Sequence, residues 1–448
     1  MAGEQDRFNP KTVKRFQGPD DVLRELQDNP NIRFVRLFFS DLIGNIQCDF
    51  TVPSYALTEP VFKEGIGYDG GSILGQARIQ ESDKKAVPIP ETAVVTPWSY
   101  QTESFSFPDR GYQEMIMFAN IVNPDGSRYE GDVRNVLETT IQKAGVVGAD
   151  TFYIGPELEF FLFKADKQGA PILEKGLPVL MDAGGYFKGG KQGRVRKEAQ
   201  LVMQSMGYEF TTDHHEVAPS QHEITFMHLD AMRMADATML YKYVLRKVAE
   251  HHEVFASFMP KPMITYHGKP VNGSGMHLNQ SLFKKDKNIF ADPNTPDNLS
   301  RVAKQYLAGL LTHVNEITAV LNPTVNSYKR LVPGCEAPVY VCWDPTNRSN
   351  LIRIPATDKE KAVRLELRSP DPTANPYLAY AVMLAAGLKG IEGKYTPPDK
   401  VPENVYEMTP EERAKRGIGT LPQTLEEALD AMEQGTIVRE TLGDHLYN

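Results

Sequence analysis

The chain has 448 residues, 41% of them hydrophobic and 24% charged, and carries a net charge of −9. That composition is globular, with material for two to four units at ~150 residues each, and its Lys and Arg are spread out, without the basic stripe that nucleic-acid binding needs. Cys48, Cys335 and Cys342 make neither a zinc spacing nor an even disulfide set, the start MAGEQDRFNPK is polar, and the longest apolar run, Tyr377 to Leu388, is too short to cross a bilayer; a soluble cytoplasmic protein with no nucleic-acid or membrane partner is expected.

Residues 1–15 read as a polar tail. From 16 to 111 a helix near 19–28 and short strands (IRFVRLFFSD, IQCDFTVP, AVVTPW), broken by Gly and Pro turns, predict a small α+β domain. From 112 to 448 longer helices alternate with strands, with helices expected over about 131–147, 194–206, 230–256, 297–319, 374–389 and 424–434. No internal repeat or low-complexity tract interrupts them.

Three strands of this second part share a pattern. Side chains on a strand alternate faces with a period of two. In FYIGPELEFFLF (152–163) the even positions are apolar, while Glu157 and Glu159 face the other way. In MHLNQSLF (276–283) Met276, Leu278 and Leu282 share one face and His277, Asn279 and Ser281 the other; in RLELR (364–368) Leu365 and Leu367 oppose Arg364, Glu366 and Arg368. An antiparallel sheet with one solvated face has this alternation too. Such a face favours Lys, Thr and Ser over paired Glu and His among aromatic residues, so a functional face is expected.

Glu157 and Glu159 lie two residue steps apart, ~7 Å by strand rise. Glu216 and Glu223 follow in the turn-containing segment HHEVAPSQHE (214–223). With His277 and Glu366 they make an oxygen-rich set that suits Mg2+ or Mn2+ rather than Zn2+, and acids clustered this way need cations to offset repulsion and desolvation. His214, His215 and His222 are read as neighbours of the site, not ligands. The small-residue loop NGSGMH (272–277) lets backbone approach a ligand closely, although a plain tight turn has the same composition. Arg330, Arg348, Arg353, Arg364 and Arg368 fall close together in the chain. Guanidinium forks bind carboxylate and phosphate and stabilise a phosphoryl group in transfer; a surface salt-bridge network is the plainer alternative. Divalent ions, several Arg and no Walker lysine motif together predict phosphoryl transfer from a nucleotide outside the P-loop class.

Seven motifs, in order, carry a more specific message: YDGGSI (68–73), GPELEF (155–160), HHEVAPSQHE (214–223), KPMITYHGKPVNGSGMH (261–277), NPTVNSYKRLVPGCEAP (322–338), NRSNLIRIP (347–355) and RLELRSPDPTANPY (364–377). With them the chain resembles type I glutamine synthetases from about Phe16 to its C-terminus. The resemblance implies an N-terminal β-grasp domain and a larger catalytic α/β domain with a curved antiparallel sheet, the glutamine synthetase/guanido kinase-like architecture. It implies ATP-dependent ligation of ammonia to glutamate through γ-glutamyl phosphate, with two or more Mg2+ or Mn2+ per site. Glu159, Glu216 and Glu223 resemble ligands of one metal and Glu157, His277 and Glu366 those of a second. Asn272, Gly273, Arg330 and Arg368 match positions that hold glutamate, and Arg348 and Arg353 those that stabilise the transferring phosphate. Glu336 resembles the flap glutamate that closes over the site and takes a proton from the adduct. Asp69 and Tyr186, with Ser72 on the same loop as Asp69, match the ammonium site; Phe226, Asn279, Ser281, Lys361 and Arg364 fall near the nucleotide.

The resemblance further implies a homododecamer of two stacked hexamers, in which the Asp69 loop completes a neighbouring subunit's site. Gly71 stands where serine is usual, Cys335 where tyrosine is common and Thr211 where a nucleotide-contacting glutamate is usual. The stretch from Phe163 to Gly184 is short, and Tyr406, at the position of an adenylylated tyrosine, sits in the context NVYEMTPEER of the non-adenylylated alpha branch. Direct allosteric control is therefore expected, with Arg78 matching an arginine linked to glutamine feedback and a nitrogen-regulatory protein as a further partner. The rival expectations are a ligase for amines or polyamines, which would need a reshaped acceptor pocket, and a non-catalytic relative, which would have lost metal ligands or phosphate arginines.

Overall fold

The computed structural model describes residues 8–99, 111–333 and 337–448. Cys335 and Glu336 lie outside the described residues. The chain divides into two compact units, one of Met1–Asn135 with Ala199–Glu209 and Asn448, the other of Val136–Glu198 with Phe210–Tyr447.

The first unit is built on a six-stranded sheet in the order Ile46–Pro53, Ile32–Ser40, Gln113–Val122, Asp83–Pro88, Ile66–Asp69, with Val94–Val95 also paired to Gln113–Val122. Ile32–Ser40 and Gln113–Val122 run parallel, the other pairs antiparallel. Gln113–Val122 is buried almost throughout, which suits a strand with neighbours on both edges. The sequence places that strand in the larger domain; its pairing puts it in the small sheet, past the expected boundary at residue 111. The expected helix forms over Pro19–Asp28, started by Pro19 at its first position. Val22, Val35, Leu37, Met115, Met117 and Ile121 form the core beneath the sheet.

The second unit carries the larger sheet, in the order Phe210–His215, Gln221–Phe226, Thr151–Lys164, Met276–Lys284, Leu365–Leu367, Ile352–Arg353, Trp343–Asp344. Its pairs are antiparallel except the last. The three alternating segments found in the sequence are thus adjacent strands. On the far face pack helices whose starts are explicit in the sequence. Asp230 caps Ala231–His251, Ser300 caps Arg301–Leu321, and Asn375, followed by Pro376, caps Pro376–Glu392. The helix Pro376–Glu392 is buried on most sides, and among the described residues no helix is long and apolar enough to cross a membrane. The helix expected over 230–256 stops at His251, because Val254–Ser257 pairs antiparallel with Thr151–Lys164. A β-branched and aromatic run next to an open sheet edge gains more from pairing than from another helical turn. Glu253, at φ +55, makes the reversal.

Candidate active site

Register decides what the sheet presents. Glu223 lies directly opposite Glu159, Thr225 and His277 lie on either side of Glu157, and Glu366 stands between Asn279 and Arg353. Like charges opposed across strands repel, so this row is costly without a counter-charge. It forms the floor of a cavity of about 1000 Å³ lined also by Tyr186, Glu216, Asn272, Gly273, Arg330, Arg348, Arg353 and Arg368.

Two groups of ligand atoms gather there, each within 4.8 Å: Glu157, His277 and Glu366 in one, His214, Glu216 and Glu223 in the other. The first is the trio the sequence predicts. In the second, His214 stands where Glu159 was expected, with Nε2 3.3 Å from Glu216 and a buried Nδ1, 4.0 Å from Glu223 Oε1, that has no hydrogen-bond partner among the described residues. Glu159 lines the same cavity, but its Oε2 accepts from Gln221 Nε2 at 2.8 Å and from the Gly275 N–H at 3.0 Å.

The electrostatics suit a divalent cation. Burial, then the charges of Glu157, Glu159 and Glu216, push the Glu223 carboxyl up to about 9. Burial and Glu216 push Glu159 up to about 8. Burial also raises Glu157, but hydrogen bonding to His277 and Asn279 outweighs it and holds that carboxyl down at about 2. Burial, with Arg368 nearby, lowers His277, and burial with Arg196 lowers His214, both toward the neutral form that binds metal. Carboxylates that resist ionisation together, an orphaned buried imidazole nitrogen and an N/O donor set fit Mg2+ or Mn2+.

A chelator is accordingly expected to act on stability. Carboxyls raised to about 8 and 9 bind more protons folded than unfolded, so stability is present below the ordinary carboxyl range and falls as pH rises through this window. Calorimetry in EDTA and in excess Mg2+ should show a Tm gap that is wider at about pH 8 than at about pH 6. Equal Tm values with and without the ion at both pH values would exclude a cation site here.

A third group, Asp182, His215 and His222, meets the same distance criterion but does not suit an ion. Arg196 donates to His222 Nδ1 at 2.7 Å, which leaves the ring proton on Nε2. His215 Nε2 faces Asp182 at 3.0 Å, and Asp182 also accepts from the Ser220 and Gly184 N–H groups at 2.9 and 2.8 Å. These contacts fasten segment 181–187, which ends in Tyr186 and Phe187, to the turn that bears Glu216. Tyr186 stacks on Phe187 at 4.0 Å and meets the edge of His214 at 5.1 Å.

The arginines divide in two. Arg353 and Arg368 pair with Glu366 at 2.8 and 3.2 Å, and Arg368 also donates to the Arg348 carbonyl. Arg330 is buried and donates to the Ser369 and Arg368 carbonyls at 2.7 and 3.1 Å, which aims the guanidinium into the cavity beside Gly273 and Gly275. Arg364 reaches the floor indirectly, donating to Asn279 Oδ1 at 2.8 Å while Asn279 donates to Glu157 at 3.0 Å.

Arg348, also expected at the nucleotide, lines the cavity; Phe226, Asn279, Ser281, Lys361 and Arg364 do not. The Phe226 ring is buried against Phe210 and Tyr241 on the opposite face, Ser281 is buried in its strand and Lys361 is exposed. Thr211 is exposed and donates to the Thr225 carbonyl at 3.3 Å. Asp69, Ser72 and Arg78 belong to the first unit, where Asp69 Oδ2 accepts from Ser72 Oγ at 2.7 Å and Oδ1 from the Gly71 N–H at 2.9 Å. At Gly71 an added Cβ would stand 3.1 Å from Ser82 and 3.2 Å from the Asp69 carboxylate, so the glycine leaves room at the acid. Tyr406 lines the cavity and donates to the Ala337 carbonyl at 2.9 Å.

Gln221 is the residue that the sequence reading missed. It is 1% exposed and its amide bridges Glu159 and, at 3.0 Å, the Gly273 carbonyl, joining an acid of the cavity floor to the 272–275 loop. Its spacing of two from Glu223, inside HHEVAPSQHE, was the available signal.

Comparison with known proteins follows the same lines. The family model described as "Glutamine synthetase, catalytic domain" matches residues 130–448, and "Glutamine synthetase, beta-Grasp domain" matches 31–124. A glutamine synthetase of Methanosarcina mazei is 45% identical over 439 residues, 97% of this chain and 93% of the relative. One of Thermotoga maritima is 41% identical over 434 residues, 95% of this chain and 93% of the relative. Among solved structures, a GmaS/ADP complex has a TM-score of 0.80 at 29% identity, covering 95% of this chain and 93% of its own. The Plasmodium falciparum glutamine synthetase has a TM-score of 0.80 at 23% identity, covering 97% and 95%, a likeness of fold.

Proposed function

Because the chain belongs to the glutamine synthetase family through both of its domains, we propose that this cavity joins ammonia to the side-chain carboxylate of glutamate at the expense of ATP. The observation that carries the reading is Glu366, which faces His277 and Glu157 as a ligand trio and at the same time holds Arg353 and Arg368 at the cavity wall. One carboxylate thus ties the place for a cation to the groups that meet phosphoryl oxygens.

Glu157, His277 and Glu366 would hold one ion and Glu216 and Glu223, with His214 or Glu159, another; Mg2+ is the proposed ion, with Mn2+ as substitute. When bound, such ions polarise phosphoryl oxygens and offset the acids around them. Arg330, Arg368, Asn272 and Gly273 seat glutamate with its γ-carboxylate toward the phosphate. As that oxygen attacks the terminal phosphorus of ATP and ADP leaves, Arg348 and Arg353 take up the charge on the oxygens in transfer. Asp69, brought by a neighbouring copy of the chain, accepts a proton from ammonium held against the Tyr186 ring. The amine then adds to the acyl phosphate, Glu336 takes the proton of the adduct, and inorganic phosphate departs. Asn279, Ser281 and Lys361 are proposed to lie along the nucleotide, with Arg364 acting through Asn279 and Phe226, whose ring is buried on the other face, offering only its backbone.

The proposal extends to a cytoplasmic homododecamer with the Asp69 loop serving a neighbouring subunit, to feedback by glutamine through Arg78, exposed at the head of the turn Ile79–Glu81, and to docking of a nitrogen-regulatory protein. Relatives at 41–45% identity are glutamine synthetases, so an amine ligase is not favoured. Phosphate release from ATP with glutamate and Mg2+, comparing ammonium, methylamine and putrescine and quantifying glutamine, tests the reading. Ammonium is expected to give release matched by glutamine. Release driven only by an amine would reject ammonia as the substrate.

A further inference from the structure

Asp69 is exposed at the end of the strand Ile66–Asp69, and the segment that follows, up to the strand Asp83–Pro88, contains only two short 3-10 turns, Gly70–Ser72 and Ile79–Glu81. Its ends are closed by the Gly70 N–H donating to the Ser82 carbonyl at 2.7 Å. Leu74 and Ile79 within it are 57% and 89% exposed, and only Ile73 and Ala77 pack, partly buried, against the core, so apolar contacts hold the loop at few points. One residue between them differs: Gln76 is 2% exposed.

We propose that Gln76, gripped by the hydroxyls of Tyr68 and Tyr129, is the positioning residue that shapes the 69–82 loop and thereby sets the affinity for ammonium. The proposal rests on the reading of Asp69 as the group that receives the ammonium proton. Tyr68, the neighbour of Asp69, donates from its hydroxyl to Gln76 Oε1 at 2.5 Å. Tyr129 donates from its hydroxyl to the Gln76 main-chain carbonyl. The Gln76 N–H donates to the Ile73 carbonyl at 3.1 Å, which carries the restraint to the turn holding Ser72. The two clamps come from different places, one from the strand that bears Asp69 and one from beyond the central strand Gln113–Val122.

Tyr129 is itself held firmly. Its N–H donates to the Ile121 carbonyl at 3.3 Å, and the Lys84 ammonium lies 4.2 Å from its ring centre while donating to the Glu81 carbonyl at 2.5 Å. Lys84 therefore fastens the far end of the loop to the same ring. On the other side the Leu42 N–H donates to the Leu74 carbonyl at 3.2 Å, and Gly75, at φ +68, brings the backbone against the Leu42 side chain where a Cβ would stand 2.5 Å away. Burial raises both phenols, so they stay protonated donors throughout the working pH range. A loop pinned at its middle by two hydroxyls is held in shape from two sides; with one hydroxyl gone, a buried acceptor loses that donor and the loop relaxes.

The test is steady-state kinetics of the full chain with ammonium varied at saturating glutamate and ATP. Tyr129→Phe removes one oxygen and is expected to raise the ammonium KM by ~10-fold, with the KM values of glutamate and ATP and the kcat at saturating ammonium within about threefold. Tyr68→Phe removes the other hydroxyl and is expected to do the same, so the test stands if either variant folds poorly. An unchanged ammonium KM in both, or all three KM values rising together, would overturn the proposal, because a purely structural defect does not single out one substrate. Asp69→Asn run in parallel separates the two readings. A raised ammonium KM there and not in the tyrosine variants overturns the clamp alone; no change in Asp69→Asn overturns the role of Asp69 and the clamp with it.

Discussion

Glu366→Ala is expected to lower kcat/KM by ~10³-fold or more, with binding of Mn2+ weakened in the same variant. Glu366 is 2% exposed and stands 3.8 Å from His277 Nδ1, 2.8 Å from Arg353 Nη1 and 3.2 Å from Arg368 Nε. Its removal takes away a proposed metal ligand and leaves two guanidiniums without their shared anion, which costs more than the loss of an exposed pair. The Arg353 Nε is buried with no hydrogen-bond partner among the described residues, so that guanidinium depends on Glu366 for its position. Glu366→Gln keeps shape and one acceptor and is expected to retain more activity than alanine. Calorimetric titration with Mn2+ beside steady-state rates is the measurement. Wild-type ion binding in Glu366→Ala would remove this carboxylate from the ligand set, and wild-type turnover would remove it from the reaction.

The second large effect is expected from a single methyl group. At Gly273 a Cβ would stand 2.4 Å from the Pro260 carbonyl oxygen and about 3 Å from the stem of Arg330. The backbone at this glycine is not of the left-handed kind, so space is the constraint. The Pro260 carbonyl cannot retreat cheaply, because it accepts from the Ser274 N–H at 2.7 Å. Gly273→Ala must therefore displace Arg330 or the 272–275 loop, and with it the Gln221 bridge to Glu159. Overpacking of this kind destabilises by about 1–3 kcal/mol, and misplacing the groups that seat a substrate costs ~10²-fold. We expect the glutamate KM to rise ~10²-fold while ATP binding changes little. Titration of the variant with ATP and with glutamate separately checks this; unaltered glutamate affinity would show that the loop tolerates the methyl group and does not seat the substrate.

Local pattern carries much of this protein. Alternation on 152–163, 276–283 and 364–368 identifies strands with one functional face, and the three are adjacent strands of one sheet. Caps at Asp230, Ser300 and Asn375 start the long helices where the sequence has them. These are short-range effects, readable because hydrogen bonding and side-chain direction depend on residues only a few positions apart. The same local logic failed at Val254–Ser257, where an open sheet edge outweighed continuation of a helix, and at Gln113–Val122, whose partners lie in the small sheet.

What the sequence by itself determined was the donor chemistry and the elements that bear it: acids, imidazole and arginine on strand faces, with a small-residue loop beside them. Only the tertiary structure decided the register that sets Glu223 against Glu159 and His277 against Glu157, the turning of Glu159 toward Gln221 while His214 joins Glu216 and Glu223, and the retreat of the Phe226 ring into the core. The physical reason is separation along the chain. Period and propensity fix which face a side chain takes, whereas the partner across the sheet, the Glu157 and Glu159 charges that raise Glu223 and the Tyr129 hydroxyl on Gln76 come from residues tens of positions away, brought together only by packing.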